Sequence, residues 1–103
     1  MKTILTVSLA EDDLLDVALE VEKGEVRRFA LNYRIRVGNR WASVYRVDDC
    51  HGYYHEQKLW RSPKPIPIET EGVPLQWLLK RYTEKIQAEF PRYRRHFEQN
   101  SRR

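Results

Sequence analysis

At 103 residues and 12.5 kDa the chain has room for one domain, and its single cysteine excludes an intramolecular disulfide and with it a secreted cystine scaffold. No apolar run approaches the ~20 residues that span a bilayer, the N-terminal MKTILTVSLAEDD turns acidic too early for a secretory signal, and 41 % hydrophobic residues are too many for disorder, so a soluble cytoplasmic domain without a membrane partner is expected. The net charge of +4 is unevenly laid out: residues 1–25 carry −5, residues 26–68 carry +6 and residues 69–103 carry +3, which points the basic part of the chain at an anionic partner.

Leu5, Val7 and Leu9 alternate with polar residues, so 3–9 reads as a strand. Val17, Leu19 and Val21 mark a second, closed by the Lys23-Gly24 turn. Phe29, Leu31, Tyr33, Ile35 and Val37 hold five consecutive odd positions, the longest period-2 signal in the chain, and define a strand over 26–37. Gly38-Asn39 then makes a two-residue hairpin turn, and Arg40 to Val47 returns antiparallel. Such a turn pairs Val37 with Arg40, Ile35 with Ala42 and Tyr33 with Val44 on an apolar face. It pairs Arg36 with Trp41, Arg34 with Ser43 and Asn32 with Tyr45 on the other, where Arg36 is placed for a cation–π contact with Trp41.

A further strand is expected within Tyr53 to Trp60. Pro63, Pro65 and Pro67 make the next stretch an extended connector. Pro74 suits a helix start, and Leu75, Leu78, Leu79, Tyr82 and Ile86 follow at helical spacing. Pro91 should kink or end that helix near Phe90, with Tyr93 and Phe97 on a second short helix. Trp60 and Trp77 read as core anchors. The expected fold is α+β: an antiparallel meander sheet of four to five strands, followed by one or two C-terminal helices packed on one face. Residues 1–98 form the domain and 99–103 a frayed basic tail.

Residues able to carry chemistry concentrate between Tyr45 and Lys58. His51 and His55 stand beside Asp48, Asp49 and Cys50. On a straight strand the two imidazoles would lie ~13 Å apart, at ~3.3 Å per residue, too far for one metal ion. A bend is needed to bring them together, and Gly52 is the residue that could provide it. No metal and no cofactor is therefore expected. Two histidines can instead share general base and general acid work, as RNA cleavage by its own 2′-hydroxyl requires. In that reading His51 and His55 are the pair, Asp48 orients an imidazole, and Arg46 and Lys58 stabilise charge on the phosphate. Arg34, Arg36, Trp41 and Tyr45 would form a phosphate-binding and stacking surface beside them.

The stretch Tyr45-Arg46-Val47-Asp48-Asp49-Cys50-His51-Gly52, followed by His55, resembles a motif of the TumE-like toxins of prokaryotic toxin–antitoxin pairs. Those chains have a β-rich start, then Tyr-Arg-Tyr-Asp-Asn-Ala-His-Gly and a nearby His-x-His. The likeness covers residues 33–58 and implies a toxin acting on nucleic acid or translation, with a companion antitoxin. The functional expectation is a toxin-like protein acting on RNA or another nucleic acid, a metal-independent ribonuclease. The alternatives are a non-catalytic nucleic-acid module and a protein-interaction domain, a homodimer built on an uncovered edge strand.

Overall fold

A computed structural model describes residues 1–100. It consists of an antiparallel sheet and one helix. The strands are β1 (Lys2–Ala10), β2 (Asp13–Glu22), β3 (Glu25–Val37), β4 (Arg40–Asp48), β5 (His55–Lys58) and β6 (Ile66–Pro67), and they lie side by side in sequence order. The helix, α1, runs from Leu75 to Asn100. The α+β meander is as expected, with one strand more. The additional strand is β6, two residues within the proline-rich connector. Pro67 can stand there because an outermost strand need not donate on its free side.

The helix lies across β3 and β4. Four of the five odd positions of β3 are buried, whereas Val37, at the turn, is 52 % exposed. Phe29, Leu31, Tyr33 and Ile35 join Leu15 and Val17 of β2, Val44, Tyr45 and Val47 of β4, and Leu78, Ile86 and Tyr93 of α1 in one core. The Pro74 carbonyl accepts the first helical N–H groups, from Trp77 and Leu78. Helix α1 continues through Pro91 instead of ending near Phe90. The carbonyl that Pro91 leaves without an amide belongs to Gln87, on the exposed side where water can serve it, while Tyr93 beyond is buried. Gln99 and Asn100 belong to the helix, and the Asn100 side-chain amide donates to the Trp60 carbonyl. The rest of the expected basic tail, 101–103, lies outside the described residues.

Two packing expectations are corrected. Trp77 is no core anchor: it is 72 % exposed, on the solvent side of α1. The hairpin register also changes part-way along. Val37↔Arg40, Arg36↔Trp41, Ile35↔Ala42 and Arg34↔Ser43 pair as the turn dictates, but Tyr33 then faces Tyr45 and Asn32 faces Arg46. A β-bulge at Val44 inserts one residue and reverses the alternation beyond it. Tyr45 thereby enters the core, with no exposed surface, and stacks near Tyr93 and Trp60.

Replacing Ile86, fully buried under the helix, with alanine should cost about 2–5 kcal/mol. Trp77→Ala should stay within about 0.5 kcal/mol. Denaturant midpoints test the pair, and equal destabilisation by both would contradict the packing described.

Candidate functional site

The bend demanded by the His51–His55 spacing exists. After β4 the chain turns through Asp49 to Gly52, closed by the Gly52 N–H donating to the Asp49 carbonyl at 2.9 Å. Gly52 takes φ +86°, a conformation that side chains with a Cβ resist. The turn folds His51 back over the start of β5, so the two imidazole centroids are 4.8 Å apart. Cys50 Sγ and ring nitrogens of His51 and His55 all lie within 4.8 Å of one another. These three donors could hold a metal ion.

His55 sits at the bottom of this cluster with no exposed surface, whereas Cys50 and His51 are exposed. Its Nδ1 is 3.1 Å from the Tyr53 carbonyl oxygen. Its Nε2 is 3.1 Å from Asp48 Oδ1 and 3.9 Å from Cys50 Sγ. Asp48, opposite His55 in the β4–β5 ladder, is itself nearly buried. Its Oδ1 accepts the Cys50 N–H at 3.1 Å, and its Oδ2 is 3.3 Å from Arg46. Burial alone would push the Asp48 carboxyl up, but hydrogen bonds from Cys50 and the charges of His55 and Arg46 outweigh it and hold the group below its ordinary value. The hydrogen bond to Asp48 pushes the Cys50 thiol up.

Of the residues expected to act together, the structure gathers Arg46, Asp48, His51 and His55. It separates Lys58. Strand β5 sends His55 away from the helix and Lys58 toward it, where Lys58 pairs with Tyr45. The expected stacking surface is also rearranged. Tyr45 is in the core and presents nothing to a base. Arg34, not Arg36, lies over the Trp41 ring, at 4.9 Å, and its guanidinium is held by Asp16 at 2.7 and 3.2 Å. Arg36 turns back to the Gly38 carbonyl at 3.3 Å. Trp41 remains exposed.

A second constellation lies on the helix side. Lys58, Arg61, Lys85, Arg92 and His96 line one groove of about 380 Å³ together with Trp60. Lys64 joins Lys58 and Arg61 around an adjoining hollow. Glu56 lies 4.0 Å from Lys85, and Glu89 pairs with Arg92. Among the described residues no acid pairs with Lys58 or Arg61. The Trp60 ring stacks on Tyr93 and lies near His96. The signal available in sequence was the basic run Arg92-Tyr93-Arg94-Arg95-His96. Its approach to Lys58 and Arg61 depends on where α1 crosses the sheet.

Because the Asp48 carboxyl is held below its ordinary value, it stabilises the fold above the pH at which the unfolded carboxyl titrates, and this contribution disappears as acid protonates the folded one. Wild type should therefore lose stability relative to Asp48→Asn as the pH is lowered below about 4. Parallel stability profiles of the two proteins would refute the assignment.

No curated protein and no solved structure matches this chain. One family model matches it over residues 1–103, and on that match the chain belongs to DUF7718, a domain of unknown function.

Proposed function

We propose that this protein binds single-stranded RNA through the groove between β5 and α1. The observation that carries the reading is the convergence of Lys58, Arg61, Lys85 and Arg92 around Trp60, with Lys58 and Arg61 uncompensated by any acid among the described residues. Uncompensated cations attract a phosphodiester backbone and release its counterions. An aromatic lining suits unstacked bases of any sequence. A groove of about 380 Å³ is the size of a pocket for one small ligand, and suits a splayed nucleotide better than the side of a duplex. The likeness of residues 33–58 to TumE-like toxins supports the same class of target and adds a companion antitoxin to the proposal. Cleavage by a metal-free pair of histidines is not included, because both imidazoles must meet one phosphate and His55 has no exposed surface.

Fluorescence anisotropy with a labelled single-stranded RNA oligonucleotide should show binding that weakens steeply with salt. Lys58→Ala combined with Arg61→Ala should weaken it and reduce the logarithmic salt slope by about 0.7 for each phosphate no longer neutralised. Arg36→Ala combined with Trp41→Ala, on the opposite face, should leave it unchanged. Salt-independent or absent binding by the wild type would sink the proposal, as would tighter binding of duplex DNA. Loss of binding in the Arg36 and Trp41 double variant alone would move the site to that face.

A further inference from the structure

We propose that Cys50, His51 and His55 form a three-ligand site for a divalent transition-metal ion, with zinc the best fit. The inference rests on the juxtaposition of one thiol and two imidazoles and on the surroundings of the buried member. Both ring nitrogens of His55 face acceptors: the Tyr53 carbonyl at Nδ1 and the Asp48 carboxylate at Nε2, each at 3.1 Å. A neutral imidazole carries one N–H, so in either tautomer one lone pair points at an oxygen. A metal ion bound at Nε2 would use the lone pair that otherwise faces the Asp48 carboxylate. In the Nδ1–H tautomer the ring donates to the Tyr53 carbonyl, the outer hydrogen bond by which proteins orient a ligating histidine. Nε2 then carries the lone pair, 3.1 Å from Asp48 Oδ1 and 3.9 Å from Cys50 Sγ.

The dimensions suit the ion. Zinc–nitrogen bonds of ~2.0 Å and zinc–sulfur bonds of ~2.3 Å place tetrahedral donors ~3.3–3.6 Å apart. Cys50 Sγ and His55 Nε2 are already 3.9 Å apart, and all three donors lie within 4.8 Å. Closing the remaining gap needs only rotation of Cys50 and His51, both exposed, about the fixed His55. One thiolate and two imidazoles favour zinc among divalent ions and disfavour magnesium and calcium, which take oxygen donors. Asp48 Oδ1, 3.1 Å from His55 Nε2, stands beside the fourth position. On binding, the Sγ–H bond breaks, sulfur keeps the electron pair to form the metal–sulfur bond, and the proton leaves to solvent. The site is on the sheet face away from the basic groove, so it stands or falls separately from RNA binding.

Cobalt(II) added to the purified full chain should bind at a ratio of one, with thiolate-to-cobalt charge-transfer absorption and the visible bands of a tetrahedral ion, and zinc should displace it. Cys50→Ser should abolish the charge-transfer band. His51→Ala should weaken binding by more than about 100-fold, beyond the 10–100-fold typical of losing an outer hydrogen-bond partner. Neither side chain belongs to the core, so both variants should fold, as circular dichroism would show. Protection of Cys50 from alkylation by added zinc gives the same answer without any substitution. Failure of the wild type to bind cobalt one-to-one would overturn the proposal. So would a wild-type spectrum without the thiolate band, unchanged spectra in both variants, or alkylation unaffected by zinc.

Discussion

The β-bulge at Val44 decides the chemistry of everything from Tyr45 to Lys58. Up to Ser43 the β3–β4 hairpin follows the register of its Gly38-Asn39 turn. Had that register continued, Tyr45 and Val47 would point away from the helix, and Arg46 and Asp48 into the apolar core. One inserted residue exchanges the two sets. Tyr45 and Val47 become fully buried, with the Tyr45 hydroxyl donating to Glu56 at 3.0 Å. Arg46 and Asp48 are carried to the open side, where an ion pair can be solvated at one end. Leaving a carboxylate unpaired in the core would cost several kcal/mol, so the bulge is the arrangement that the composition of this strand permits. The Val44 carbonyl is not left orphaned either, because the Leu59 N–H reaches it at 3.0 Å from beyond β5.

Strand β5 inherits the same parity. Asp48 faces His55, Val47 faces Glu56, Arg46 faces Gln57 and Tyr45 faces Lys58. Each of the two candidate sites thus receives its β5 residue through the ladder: His55 with Asp48 on one side of the sheet, Lys58 with Tyr45 on the other. Glu56 strengthens the second side by accepting from Tyr45 and lying beside Lys85 of α1. A third cross-link fixes the far end of the helix. Buried Asp13 accepts from the Tyr33 hydroxyl at 2.5 Å and pairs with Arg94 at 2.7 Å. Burial and that hydrogen bond push the Tyr33 hydroxyl far up, so it stays a donor. Together these bonds set the height of α1 over β3 and β4, and with it the distance of Arg92 and His96 from Arg61.

Period-2 and period-3.6 patterns made the strands, the helix and most of the core legible, because each reports one face of one element. Phe29, Leu31, Tyr33 and Ile35 on β3, and Leu78 and Ile86 on α1, are buried where those patterns put them, and Leu79 and Tyr82 are partly so. A bulge has no such signature. It shows only as a break in pairing, and Val44-Tyr45 could be read in either phase. The need for a bend at Gly52 was visible from the span between His51 and His55, whereas its consequence, a thiol brought into the same cluster, required coordinates. The basic groove was legible only in part, through the run Arg92 to His96, for a different reason: Lys58, Arg61, Lys85 and Arg92 come from three separate stretches. Trp77 adjoins the buried Leu78 in sequence yet faces solvent, because on a helix neighbours at i and i+1 diverge by about 100°.

His55 is fully buried, with its two ring nitrogens each 3.1 Å from an oxygen, the Tyr53 carbonyl and the Asp48 carboxylate. Tyr53 and Asp48 both offer oxygens, Arg46 is engaged on the far carboxylate oxygen, and the Cys50 thiol lies at 3.9 Å. The contacts to Tyr53 and Asp48 anchor the start of β5 at His55. Since residues alternate strictly along that strand, whatever fixes His55 on one face also fixes Lys58 on the other, three residues on. The groove cation and the histidine cluster are therefore not two independent decorations of the sheet but two ends of one four-residue strand.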